Sequence, residues 1–208
     1  MSRFIESIKI EDQKMFLPDL HQNRVNETFA HFGVEGSIDL LKIFKDLQHD
    51  EDGLYKLRIS YDLTKNYRTQ MIPYAISEID NFQLVENNVY DYSFKFEDRK
   101  EFEKMLQKAK SDEIIIVKNN HITDTSFSNI LFKMGKDWFT PTTYLLNGVQ
   151  RKNLLKTKKI KEAEITMQNI SEYSHFQLIN AMNDFDDMFI YPIAKITNLP
   201  GQSAYLEL

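Results

Sequence analysis

The chain has 208 residues, 42% of them hydrophobic and 27% charged, enough to bury the core of one globular unit or two small lobes and too apolar for disorder. A formal net charge of −5 gives no clustered basic face for nucleic acid, and no apolar run approaches the ~18 residues of a membrane span. The opening MSRFIESIKI lacks a signal-peptide apolar region, which points to the cytoplasm, and the absence of cysteine excludes disulfides, thiol nucleophiles and thiolate metal sites.

In chain order, RFIESIKIED alternates imperfectly and runs into the polar EDQK, predicting strand, turn and short strand. Pro18 then stands at the first turn of a helix with apolar residues at Leu20, Val25, Phe29 and Phe32 and a stop at Gly33. A second helix fits SIDLLKIFKDLQ, with Ser37 as its cap. GLYKLRISYD, YRTQMIPY and NFQLVEN are strand-like, so the front of the chain reads as an α+β lobe. After the aromatic run VYDYSFKF, the segment EDRKEFEKMLQKA places Phe102, Met105, Leu106 and Ala109 on one helical face, with acids toward its favourable end.

EIIIVKNNHIT predicts a strand and an Asn-Asn turn leading into ITDTSFSNILF, which we read as a return strand that opens on Asp124. Its first half carries Ser126, Ser128 and Asn129, where a strand built only for a core would alternate; its second half, Ile130 to Phe132, is apolar. MGKDWFTP predicts a turn, and Gly148 in LLNGVQRKNLL opens a helix from Val149 to Thr157. The remainder alternates short strands with polar connectors. The five histidines (His21, His31, His49, His121, His175) show no metal-ligand spacing, and the glycines form no nucleotide-binding loop.

The order of several short motifs adds a resemblance. LHQNR, KFEDR, ITDTSFSNILF, WFTPTTYLLNGVQRKNLL and IKEAEIT together resemble the class IV aminotransferase family, the fold-type-IV pyridoxal 5'-phosphate enzymes, over roughly residues 4 to 196. The resemblance implies an α+β fold with a small N-terminal lobe (1–88) and a larger, barrel-like C-terminal lobe (89–208) carrying most of the cofactor site. Lys95 is then the Schiff-base lysine and Asp124 the acid beside the pyridine nitrogen. Arg24 grips the phosphate, as do the backbone amides of Val149 and Gln150 at a helix start, with Ala181 and Met182 on a second phosphate-facing loop. Arg99 and Arg151 belong to the motifs, in contact with substrate or as braces.

The KFEDR form is most like that of aminodeoxychorismate lyases, which implies elimination of pyruvate from 4-amino-4-deoxychorismate to give 4-aminobenzoate for folate synthesis. A transaminase acting on a small or branched amino acid is the alternative within the family. The chain departs from the family in three places: Asp124 stands where Glu is usual, RFIESIKI matches after the family's customary first strands, and NDFDD follows the last motif. Those departures keep open a third reading, a cofactor-binding homologue with little catalysis. Family membership further implies a homodimer, a small-molecule substrate, and neither nucleic-acid nor membrane partners.

Overall fold

The structure, a computed structural model, describes residues 2–47, 52–183, 185 and 189–200. It is an α+β fold whose contacts separate two compact units. Unit 1 comprises Met1–Ile76, Phe94–Asp98 and Ala181–Asn183; unit 2 comprises Ser77–Ser93, Arg99–Asn180 and Asp184–Leu208. Residues 94–98, including Lys95, cluster with the N-terminal unit.

In unit 1, β1 (Arg3–Glu11), β2 (Lys14–Met15), β3 (Leu54–Asp62) and β4 (Tyr67–Pro73) form an antiparallel sheet in the order β2-β1-β3-β4. The period of two puts Phe4, Glu6, Ile8 and Ile10 on one face of β1, and all four are fully buried. Val25 and Phe29 of helix α1 (Pro18–His31) belong to the same core. Helical spacing carries His21, Arg24 and Thr28 into the buried side of α1 with them. The helix ends as predicted: Gly33 lies at φ 70°, its N–H donates to Ala30 O, and Val34 N–H donates to Phe29 O, closing the carbonyls of the last turn. Helix α2 (Leu40–Asp46) is capped by Asp39, whose side chain accepts from Lys42 N–H, and not by Ser37. Asp39 is three residues from a free amide, whereas the Ser37 hydroxyl is engaged by Asn26.

Unit 2 begins with β5 (Phe82–Glu86), helix α3 (Lys100–Ala109) and β6 (Glu113–Lys118), the two strands parallel as a helical crossover allows. Asn119 and Asn120, both at positive φ, make the tight turn into β7 (His121–Thr125). Then follow β8 (Asn129–Met134), β9 (Asp137–Pro141), helix α4 (Val149–Lys156) and β10 (Lys161–Ala163). The sheet order is β10-β9-β8-β7-β6-β5, with β11 (His175–Ile179) paired to β8 and to β12 (Ile190–Pro192). Phe82, Ile115, Ile122, Ile130, Phe132, Phe176 and Leu178 fill its core.

One sequence expectation is corrected here. ITDTSFSNILF is two strands joined by a turn at 126–128, so Asp124 lies near the end of β7 and faces Asn129 across the ladder. The polar residues make the turn. Thr125 Oγ1 accepts from Ser128 N–H, and buried Glu113 accepts from both the amide and the hydroxyl of Ser126.

Candidate functional site

Each unit holds part of the chemistry the sequence motifs suggested. In unit 1, β2 pairs only with residues 10 and 11 of β1, which leaves the front of that edge open to another segment. Residues 94–98 occupy it. Ile5 N–H donates to Lys95 O (2.9 Å) and Glu97 N–H donates to Arg3 O (2.8 Å), with Phe4 bridged to Phe96. Side chains secure the same segment: Glu97 accepts from Arg58 (2.8 Å) and Ser60 (2.8 Å) and lies 3.2 Å from Arg3. Lys95, half-buried, is therefore carried on strand-like backbone pinned on both sides.

Beside it lies a buried ionic cluster that the sequence reading did not single out. Glu6 accepts from Arg24 through both oxygens (2.8 and 2.5 Å), and His21 Nδ1 lies 2.5 Å from the same carboxylate. Burial alone raises a carboxyl's pKa; Arg24 and His21 outweigh it and hold Glu6 down at about 2. Burial pushes the His21 imidazole below its usual range, opposed by Glu6 and reinforced by the charges of Arg24 and Lys95. His21 Nε2 is buried and has no hydrogen-bond partner. The signal for this cluster was present: an acid at position 6 shares the apolar face of β1 with Phe4, Ile8 and Ile10, and such an acid needs cationic partners.

In unit 2, the ladder between β6 and β7 runs from Ile115↔Thr125 to Val117↔Ile122, so β7 carries one extra residue at Thr123–Asp124. Such a bulge re-aims a side chain. Asp124 is buried; its Oδ1 accepts from Asn129 Nδ2 (2.7 Å), and its Oδ2 accepts from the amides of Leu145 (2.9 Å) and Leu146 (2.8 Å). Burial dominates here and lifts the Asp124 carboxyl to about 6, against the pull of those donors and Arg151. A carboxylate offers about four acceptor directions, so three bonds leave one on Oδ1.

Asn129 also donates to Leu146 O (2.8 Å), clasping the loop that leads to Gly148. Gly148 is the N-cap of α4 and supplies no side-chain cap; Val149 and Gln150 follow, both buried. Helix amides not satisfied by a cap are donors suited to an anion. Ala181 and Met182, just past β11, cluster with unit 1, with Met182 buried. Arg99 and Arg151 both act as braces: Arg99 donates to Ser126 O (2.6 Å) and stacks on Phe102, while Arg151 donates to Pro141 O, Glu162 and Asn147.

Comparison with known proteins shows the family to which the chain belongs. The model of the amino-transferase class IV family matches residues 3–196. The chain belongs to that family. A Haemophilus influenzae protein of uncharacterised function is 32% identical over 187 residues, covering 88% of this chain and 99% of its own. A Haemophilus somnus structure, provisionally named a 4-amino-4-deoxychorismate lyase, is 34% identical, spans 89% of this chain and 98% of its own, and superposes with a TM-score of 0.81. A Brucella abortus aminotransferase, solved with pyridoxal phosphate bound, shares the fold at a TM-score of 0.68 and 15% identity, covering 91% and 79%. The fold is that of the fold-type-IV enzymes, and this family member is a pyridoxal-phosphate-dependent enzyme.

The residues present fit that group. Within unit 2, an anion would find the start of α4 without a side-chain cap, and a ring N–H would find one remaining acceptor direction on the buried Asp124 carboxylate. Among the described residues, no helix is long and apolar enough to cross a membrane, and no cluster of His, Cys, Asp or Glu is placed to hold a metal ion.

Proposed function

We propose that the protein is a 4-amino-4-deoxychorismate lyase, releasing pyruvate and 4-aminobenzoate for folate synthesis. The observation that carries the choice of reaction is the similarity to the Haemophilus somnus protein, which extends over nearly the whole of both chains. Bound pyridoxal phosphate supplies an electron-withdrawing ring that stabilises negative charge at the carbon next to the substrate nitrogen.

In this reading Lys95 holds the cofactor aldehyde through Nζ and then moves a proton at the same atom. Asp124 keeps the ring nitrogen protonated through the free acceptor direction on Oδ1. Being one methylene shorter than Glu, it depends on the β7 bulge and the Leu145–Leu146 amides to set its reach. Arg24, the amides of Val149 and Gln150, and the Ala181–Met182 segment hold the phosphate. Arg99 fixes the turn after Asp124 through the Ser126 carbonyl. A cytoplasmic homodimer is part of the same proposal, checked by the oligomeric state of the purified protein.

The test is to supply 4-amino-4-deoxychorismate to the cofactor-loaded protein and measure pyruvate and 4-aminobenzoate. Stoichiometric release of both without an added keto acid supports the lyase. Amino transfer that requires a keto acid acceptor, with no pyruvate from this substrate, replaces it with a transaminase.

A further inference from the structure

Asp124 Oδ2 is held by the amides of Leu145 and Leu146, so the aim of this carboxylate depends on the loop between β9 and α4. One side chain grips that loop at three points. Arg151, on the first turn of α4, donates through Nη2 to Pro141 O (2.9 Å), where the loop begins, and through Nη1 to Asn147 Oδ1 (3.3 Å), where it ends. Between those two points its guanidinium lies 4.6 Å from the centre of the Tyr144 ring. The donor amides at 145 and 146 lie within the span that this planar fork closes. Nη2 also donates to Glu162 of β10 (2.5 Å), which ties the fork to the neighbouring strand.

The cost of this arrangement shows that bracing is only part of its role. Arg151 is 3% exposed, Glu162 is half-exposed and screened by solvent, and Arg151 Nε is buried without a partner. Burying a guanidinium is costly, and an unpaired N–H adds to the cost. A neutral amide would brace the same loop with a smaller desolvation penalty, so bracing alone leaves the charge unexplained. The charge acts on Asp124. The groups that meet this acid are Asn129 of β8, the two loop amides and Arg151 of α4, and of these only Arg151 is charged. Burial disfavours the ionised acid, and Arg151 opposes it.

We propose that Arg151 is the positioning residue of the Asp124 carboxylate: its fork fixes the loop amides on Oδ2, its charge favours the ionised acid, and Glu162 anchors the fork from β10. This rests on reading the chain as a pyridoxal-phosphate enzyme, in which an ionised Asp124 keeps the ring nitrogen protonated, and it names the residue that compensates for an acid one methylene shorter than Glu. In this role Arg151 touches neither substrate nor cofactor; it acts through the loop and through its field.

The experiment is a pH titration of the full chain by NMR, following the Asp124 carboxyl carbon, assigned from Asp124→Asn, together with hydrogen exchange of the Leu145 and Leu146 amides. In Arg151→Gln the Asp124 midpoint should rise by about half a pH unit or more, roughly a threefold gain in proton affinity. Exchange at Leu145 and Leu146 should be at least tenfold faster, while core amides of β8 keep their protection. Arg151→Lys keeps a charge and loses the fork, so the midpoint should lie between those of wild type and Arg151→Gln while exchange at the two amides stays fast. In wild type the Arg151 Nε–H resonance should titrate with the Asp124 midpoint.

An unmoved Asp124 midpoint in Arg151→Gln, loop amides that exchange no faster than in wild type, or full amide protection in Arg151→Lys overturns the proposal. A wild-type Arg151 resonance indifferent to Asp124 ionisation overturns it even if neither variant folds. Failure of the cofactor reading has a separate signature: an Asp124 signal that saturating pyridoxal phosphate leaves unchanged, whatever the Arg151 variants do.

Discussion

The Asn129 carboxamide fills the space that a side chain on Gly148 would need, so the start of helix α4 and the partner of Asp124 are packed against each other. Asn129 donates to Asp124 Oδ1 and to Leu146 O at once, and one residue thereby sets both the carboxylate and the loop before the helix amides.

Gly148→Ala should accordingly destabilise the protein by about 1–3 kcal/mol, because Asn129 must move and leave buried partners unsatisfied. Asn129→Ala makes room, so the double variant should be no less stable than Asn129→Ala alone. Chemical denaturation of the three variants measures this; strictly additive losses would show that the two sites are uncoupled.

Glu97 makes a second prediction about positioning. Its carboxylate ties Arg58, Ser60 and Arg3 to the segment that carries Lys95. Glu97→Ala should speed hydrogen exchange at the Ile5 and Glu97 amides at least tenfold and slow cofactor loading, while core amides of β3 remain protected. Unchanged exchange at Ile5 would mean that the backbone pairing alone holds the segment.

The two buried carboxylates should shift stability in opposite directions with pH. Glu6 is held down at about 2, so its stabilisation is present above the unfolded value of 4.5 and is lost as pH falls toward 2. Asp124 is lifted from 3.8 to about 6, so its contribution is greatest below 3.8 and is lost as pH rises through 6. Relative to Asp124→Asn, wild type should lose roughly 2 kcal/mol between pH 4 and pH 7; relative to Glu6→Gln, it should lose stability as pH falls below 4.5, as far into acid as the fold persists. Unfolding free energies across pH check both slopes, and a common sign would contradict the assigned environments.

Much of this was legible in the sequence because local signals agreed with the fold. Pro18 and Gly33 bracket α1 and Asn119–Asn120 makes its turn, each through a backbone preference that tertiary packing did not override. What escaped was set by long-range partners. The turn at 126–128 depends on Glu113, 13 residues from Ser126, and the Glu6–His21–Arg24 cluster joins a strand to a helix 15 and 18 residues on. The capping of α2 by Asp39 rather than Ser37 turned on which side chain another element had engaged. Glu6 was nonetheless marked by its place on an apolar face.

The identity of the cofactor-bearing lysine is tested most directly by loading the protein with pyridoxal phosphate, reducing it with borohydride and mapping the labelled peptide by mass spectrometry. The account predicts a single pyridoxyl group on Lys95 and none in Lys95→Ala. Label fixed on a different lysine while Lys95 stays unmodified, or a Lys95→Ala protein that still traps the cofactor to the same extent, would contradict it.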